Sequence, residues 1–533
     1  MKRLFSRILG RGFVLILIGT VVLSGGCKRQ QVAIPGRSKP PAQSQVPREQ
    51  QSLPQRTVNV AGVEVTTGGK EVRGGAVNLA SFSIAGGLFG YAQCASISPD
   101  GRWIAFQAVK EGRTEGLWVI ALDGSGGRIL DRVDEKDHTA GTLTLQLLGW
   151  MRDNRVLFIR QGTQPDGAHR GQRGISLRVA EPDKGEVQEV GWLPVPAGMV
   201  RQVQFLPQKE SVFVHVTRSL WRMDILQQKV FLLKDKLPIY DGLFVPWLSP
   251  TGDYYAYEMH EPLRRGIYLL SIASGQEEPL APTGLAWNFL PSFSPDGRYL
   301  AYYSAPLKAG CTGQDAGDYD LVPMEDGPAP IASEVHLVSL NEQKVARLAV
   351  PGAKIGSIKW SADGRHLVFV SGKMIKGTDL NKPGLPEMEW QSIWVADLQG
   401  EVRKIADLPS GNSGDVYILR VSADGAEVHY LCIEQNKSSL WLARETGLPV
   451  EVLPGYGSWD YNFPVPAYGN EFFLSRRTAG GSSEVFRVCG AEATQVTSDG
   501  GFKSGLKIEG NRLIYLREDN TGNGRLVVLS VMQ

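Results

Sequence analysis

The stretch Ser294-Pro295-Asp296-Gly297-Arg298-Tyr299-Leu300-Ala301-Tyr302 decides the reading of this chain. Pro presets φ at the first turn position, Asp tolerates the next, and Gly takes a positive φ. The phrase predicts a tight hairpin whose returning strand buries Leu300 and Tyr302 on one face. It recurs as Ser98-Pro99-Asp100-Gly101-Arg102-Trp103-Ile104-Ala105-Phe106. Altered copies stand at Ser249-Pro250-Thr251-Gly252, Ser361-Ala362-Asp363-Gly364-Arg365 and Ser422-Ala423-Asp424-Gly425. One such hairpin says little; five in register say that the chain is an array.

A second phrase repeats behind the first. Leu117-Trp118-Val119-Ile120-Ala121 returns as Leu220-Trp221-Arg222-Met223-Asp224, Ile267-Tyr268-Leu269-Leu270-Ser271 and Val335-His336-Leu337-Val338-Ser339. Later copies are Ile393-Trp394-Val395-Ala396-Asp397, Leu440-Trp441-Leu442-Ala443, Val485-Phe486-Arg487-Val488 and Leu526-Val527-Val528-Leu529-Ser530. Counting turns gives nine units, near Gly101, Asn154, Lys209, Gly252, Gly297, Gly364, Gly425, Gly469 and Gly510, at intervals of 41 to 67 residues. Each unit reads as four strands in a meander, the pattern of a propeller blade. The units near Asn154 and Lys209 match least well, so eight blades with one irregular unit stands beside nine.

Length alone would allow three or four domains in 533 residues, but stacked repeats share one continuous core. Long helical patterns are absent, which favours an all-β chain. The last unit ends at Val531-Met532-Gln533 with no fourth strand. A propeller closes by borrowing that strand from the other terminus, which removes exposed edges. Val58–Val65 is the first candidate and Ala76–Ile84 the second.

The N-terminus reads as an address. Lys2, Arg3, Arg7 and Arg11 precede the apolar run Phe13–Leu23, too short to span a bilayer core of about 30 Å as a helix. Leu23-Ser24-Gly25-Gly26-Cys27 follows and resembles a bacterial lipobox, although Leu23 stands four residues before Cys27 where that motif has three. The resemblance implies cleavage after residue 26 and lipidation of Cys27. Lys28, where an Asp retains many lipoproteins at the inner membrane, favours the outer one. Residues 27–56 then read as a Pro- and Gln-rich tether, and 57–533 as the propeller. The net charge of +2 hides a gradient, because the basic first 56 residues leave −7 on 57–533. A mildly acidic body excludes nucleic acid as an expected partner.

Both repeated phrases resemble the blades of TolB-type propellers, relatives of WD-type repeats, over roughly residues 93–533. The resemblance implies protein contacts in the cell envelope, although this chain lacks the separate N-terminal α/β domain of TolB. The expected fold is therefore a single propeller of eight or nine four-stranded TolB-like blades closed by an N-terminal strand, acting as a monomer.

Blade geometry sorts the loops. Connections from second to third strand share one face with those between blades, and the Pro-Asp-Gly turns lie opposite. The long insertions 161–173, 305–331 and 371–389 therefore share a rim with Tyr240-Asp241, Trp287-Asn288, Asp415-Val416-Tyr417 and Trp459-Asp460-Tyr461-Asn462. Aromatic side chains beside carboxylates and amides would suit a peptide or a sugar, and loops on a rigid scaffold commonly carry function. The alternative is that Trp287 and Trp459 plug blade junctions. Asp315, Asp318 and Asp320 offer oxygen ligands for Ca²⁺, without EF-hand spacing. No Gly-x-Ser-x-Gly, phosphate-binding Gly-x-x-x-x-Gly-Lys-Ser/Thr or His-Glu-x-x-His motif occurs, and no cofactor is expected. Of the four cysteines after Cys27, Cys432 and Cys489 lie in adjacent units and are the pair closest to bridging. Three functions compete: a non-enzymatic protein- or peptide-binding scaffold, a glycan-binding or glycan-cleaving propeller, and a relative of the propeller peptidases without the hydrolase.

Overall fold

The computed structural model describes residues 56–531 except 61–62, 68–70, 73–75, 85–94, 111–112, 123–126, 134–144, 196–199, 238–246, 260–265, 281–285, 310, 312–320, 325–326, 377–385, 410–414, 435–436, 446, 456–464, 467–470, 479 and 519–523. Among these residues there are strands and turns and no helix. Nine four-stranded antiparallel blades form a β-propeller. Blade one shows the meander: Ala95–Ile97 pairs with Trp103–Lys110, which pairs with Arg113–Ala121, which pairs with Gly127–Arg132. The first strands of the other eight are Leu145–Trp150, Val200–Leu206, Trp247–Leu248, Ala286–Phe293, Lys354–Trp360, Asp415–Val421, Val465–Pro466 and Phe502–Glu509. First strands touch first strands of the next blade, as Ala95–Ile97 does Leu145–Trp150 and Lys354–Trp360 does Asp415–Val421, so they gather toward the axis. Nine blades resolve the choice between eight and nine, because the units near Asn154 and Lys209 build regular four-stranded sheets.

A blade is buried on both faces, and its strands are apolar on both. Ile104 and Phe106 pack against Ile514, Leu516, Leu526 and Val528 of blade nine. Ala105, between them, packs toward Leu145, Leu147 and Phe158 of blade two. Each fully buried side chain of this size contributes about 1.5–3 kcal/mol, so every blade depends on both neighbours.

The repeated turn is held by its serine. In blade five the Ser294 hydroxyl accepts the Tyr299 N–H at 3.0 Å and donates to Asp296 Oδ1 at 2.6 Å. Asp296 Oδ1 also accepts the Arg298 N–H at 3.1 Å, and Gly297 sits at φ 71°. The same bonds recur at Ser98 and Asp100, Ser361 and Asp363, and Ser422 and Asp424. These serines are buried, so the hydroxyl replaces a ladder partner that the turn cannot supply. Partial burial opposes ionisation of Asp296, but bonds from Ser294 and Arg298 outweigh it and hold the carboxyl below its ordinary range.

Closure uses the second of the two N-terminal candidates. Ala76–Ile84 lies along Gly524–Val531 and is the fourth strand of blade nine. Val63–Thr67 and Arg56–Val60, which contain the first candidate, extend the same sheet beyond it. Length explains the outcome: nine residues match the eight-residue strand they must cover, while each of the others spans five. The ring is sealed at the seam between blades nine and one. The Glu509 carboxylate accepts the Ser96 hydroxyl at 2.7 Å and the Ile97 N–H, and pairs with Lys507. Arg512 Nη1 donates to the Gly101 carbonyl at 2.6 Å. Cys432 is buried and Cys489 exposed, and no bridge joins them.

Ser294→Ala should destabilise the fold by about 1–2 kcal/mol in denaturant unfolding, since it orphans a buried N–H. The depressed pKa values of Asp100, Asp296, Asp363 and Asp424 stabilise the native state at neutral pH. That contribution is lost as pH falls below about 4, where the folded state must take up protons it holds weakly. The thermal midpoint should drop over that range, and less so in Ser294→Ala. A Glu509→Ala variant should lose about 1–3 kcal/mol by opening the seam, read by the same unfolding curve.

Candidate functional site

The two faces of the ring differ as the loop lengths require. On one, the serine-pinned turns are short and alike. On the other, blades two, five and six carry the long insertions. In blade six the second and third strands, His366–Lys376 and Pro386–Asp397, run 11 and 12 residues and stand above their neighbours. The insertion of blade five contains a hairpin, Leu321–Met324 against Gly327–Pro330, that touches Pro386–Asp397. The described parts of the two insertions therefore meet between blades five and six.

Of the rim residues named from sequence, five are described, among them Val416, which is buried in the core. Trp287 and Asn288 belong to the first strand of blade five and are 6% and 2% exposed. Trp287 packs with Phe289, Ala305 and Ile355 between blades five and six, so it plugs a junction. Asp415 and Tyr417 open the first strand of blade seven, Asp415 exposed and Tyr417 half-buried. The tyrosine hydroxyl lies 3.4 Å from Asp415 Oδ2. Tyr240, Asp241, Trp459, Asp460, Tyr461 and Asn462 lie outside the described residues, as do Cys27 and the acidic group Asp315, Asp318 and Asp320. Among the described residues no group of three or more His, Cys, Asp or Glu could hold a metal ion.

The insertion of blade two is held from below by buried charge. Arg160 Nη1 donates to Asp131 Oδ1 at 2.6 Å and to the Arg132 carbonyl at 2.9 Å. Arg178 reaches Asp131 Oδ2 at 3.4 Å and extends to Gln164 at 3.2 Å and Asp166 at 2.7 Å, both in the loop. Arg160 and Arg178 are 1% and 3% exposed. Desolvation raises the Asp131 pKa, and the two guanidinium groups work against it. Beside them His169 stacks on Trp192, ring centres 4.4 Å apart, and its Nδ1 lies 2.5 Å from Glu189 Oε1. A Cβ at residue 174 would stand 2.5 Å from the Trp192 ring, which is why glycine occupies it. A charged residue directly after the apolar run Val156-Leu157-Phe158-Ile159 was the sequence signal for this network.

A cleft of about 530 Å³ opens on the opposite, short-turn face. It lies where the first strands of blades nine, one, two and three end, and its walls include Ser96, Trp150, Phe205, Lys507, Glu509 and Arg512. Sequence reasoning placed no site there. The available signal was the turn of the ninth unit, Glu509-Gly510-Asn511-Arg512, which abandons the Ser-Pro-Asp-Gly phrase.

Fold and site together define a nine-bladed, all-β propeller with one elaborated loop face and a polar cleft on the other. No protein-family model matches the sequence, and no curated protein matches it. Among solved structures the chain is similar to the tricorn protease, at 13% identity and a TM-score of 0.35, over 86% of this chain and 46% of that one. It is also similar to TolB from Acinetobacter baumannii, at 16% identity and a TM-score of 0.26, over 70% and 78% of the two chains. A eukaryotic initiation factor aligns at 11% identity with a TM-score of 0.46, over 76% and 87%. The chain thus spans under half the length of the tricorn protease, and each likeness is one of fold.

Arg178→Met should free the loop at 164–172 and leave Asp131 to one guanidinium. Breaking a buried pair costs about 3 kcal/mol or more, and the unfolding midpoint should fall accordingly. Trypsin should then cut at Arg170 or Arg173 faster than in the parent chain, as read by mass spectrometry.

Proposed function

We propose that this chain is a membrane-tethered, extracytoplasmic propeller that acts as a non-enzymatic scaffold and captures a protein or peptide of the cell envelope on its loop face. The observation that carries this reading is the asymmetry of the ring. One face is built from short turns, while the other carries the insertions of blades two, five and six on a closed scaffold, those of blades five and six in contact with each other. Raised, irregular loops on a stiff base suit recognition of another chain's surface. Asp415 and Tyr417 supply a carboxylate and a phenol at that rim.

The tether belongs to the same reading. Four basic residues, a short apolar run and Leu23-Ser24-Gly25-Gly26-Cys27 would place a lipid on Cys27 and the propeller outside the cytoplasmic membrane. The glycan reading loses one of its stacking platforms, since Trp287 is in the core.

Two experiments test the proposal. Tagged full-length chain, solubilised from membranes of its own cell, should co-purify one envelope protein reproducibly. A variant lacking 309–330 should lose that capture while its unfolding midpoint stays within a few degrees of the parent, and capture unchanged by the deletion would remove this rim. Separately, Cys27→Ser should abolish incorporation of radiolabelled palmitate, and equal labelling of the variant would defeat the anchor.

A further inference from the structure

The cleft on the short-turn face has a chemical bias. Its two carboxylates are already committed. Glu509 accepts from the Ser96 hydroxyl and the Ile97 N–H and pairs with Lys507. Asp100 accepts from the Ser98 hydroxyl at 2.5 Å, from the Arg102 N–H at 3.1 Å and from Arg102 Nε at 2.7 Å. The donors are not used up. Arg512 spends one N–H on the Gly101 carbonyl, and its other N–H groups meet no partner among the described residues. Lys507 reaches Glu509 and, at 3.4 Å, Ser96, which leaves it a third N–H. Asn511 is exposed at the mouth.

The charges set how much anion the cleft can take. The charges that line it, Asp100 and Glu509 against Lys507 and Arg512, cancel, and Arg102, paired with Asp100, lies outside the lining. A monoanion adds the least charge to a lining that is neutral overall. A phosphate dianion would meet the two fixed carboxylates with twice the charge of a monoanion, and like charges repel. A planar carboxylate also fits the forked donors of a guanidinium. The opposite wall is apolar, with Trp150 behind it in the core between blades one and two, 7% exposed and held by a 2.8 Å bond from Nε1 to the Ser96 carbonyl. Phe205 and Leu148 stand beside it. The volume is within the range of small-ligand pockets, about 300–1,000 Å³.

We infer that this cleft is a second binding site, for a monocarboxylate joined to an apolar or aromatic group, with Arg512 holding the carboxylate and the half-buried Phe205 and Leu148 the apolar part. The group can come from a peptide C-terminus or from a small aromatic acid. The site lies on the face away from the insertions and stands or falls independently of capture there.

Titration calorimetry on the full chain in detergent tests it with four probes: N-acetyl-Ala-Ala-Phe, the same peptide as its C-terminal amide, 3-phenylpropionate and inorganic phosphate. The free-acid peptide should bind saturably and the amide about tenfold more weakly or worse. Tighter binding of the peptide than of 3-phenylpropionate would identify a chain terminus as the source, and equal or weaker binding of the peptide a small acid; both support the site. Arg512→Gln should weaken carboxylate binding at least about tenfold. Because Arg512 also helps close the ring, Asn511→Glu supplies the independent check. This exposed substitution places a competing carboxylate at the mouth and should weaken binding similarly without moving the unfolding midpoint. Absence of saturable binding by both acids, an amide equal to the acid, phosphate binding tighter than either acid, or unchanged binding by Asn511→Glu would each overturn the inference.

Discussion

Everything in this molecule depends on closing the ring. A blade open on one side would leave an apolar face such as Ile104, Phe106 and Trp118 in water. The bonds that prevent this join residues 411 to 413 positions apart: Ser96 and Ile97 to Glu509, and Gly101 to Arg512. The strand Ala76–Ile84 completes the seam by covering the edge of Gly524–Val531. Closure satisfies backbone groups that an open sheet would expose, and it fixes the blades as one scaffold. Both candidate sites inherit their geometry from it.

Between other blades a similar device recurs with different residues. Gln107 reaches from blade one to the Leu145 carbonyl and the Leu147 N–H of blade two. The Leu290 N–H donates to Glu258 at 2.7 Å, the Ile358 N–H to the Tyr303 hydroxyl at 2.8 Å, and the Ile418 N–H to the Ser357 hydroxyl at 2.9 Å. The N–H groups of Leu147, Leu290, Ile358 and Ile418 lie at or beside an irregularity in the first strand, where pairing with the second strand shifts register. Leu290 and Ser357 take positive φ there, at 49° and 47°. That conformation costs about 1–2 kcal/mol for an L-residue, and the inter-blade bonds offset it. The bulges free backbone donors that a regular ladder would consume, and the neighbouring blade takes them up. The first strands are therefore stitched across blades as well as packed.

The fold was legible because its information is local. A Ser-Pro-Asp-Gly turn specifies a hairpin through the conformations of four residues, and Ser294 and Asp296 complete it with bonds two to five residues away. Repeated five times, with a second phrase behind it, the local signal reveals the array. The site was less legible. Trp287 looked like a loop aromatic because an inter-blade segment precedes it, yet the strand Ala286–Phe293 starts before it and turns it into the core. Arg160, Arg178 and Asp131 were missed because their meaning is a shared burial, which no spacing encodes.

By itself, then, the sequence determined the all-β class, the four-stranded unit, and the sorting of short turns and long insertions onto opposite faces. These follow from backbone preference and period-two burial, which act over a few residues. Only the tertiary structure decided which N-terminal segment closes the ring, that all nine units are regular, and that a cleft forms where blades nine, one, two and three converge. Those outcomes rest on matching strand length and satisfying buried donors across the whole chain. No local phrase carries that balance, because its two halves meet only when the first blade finds the last.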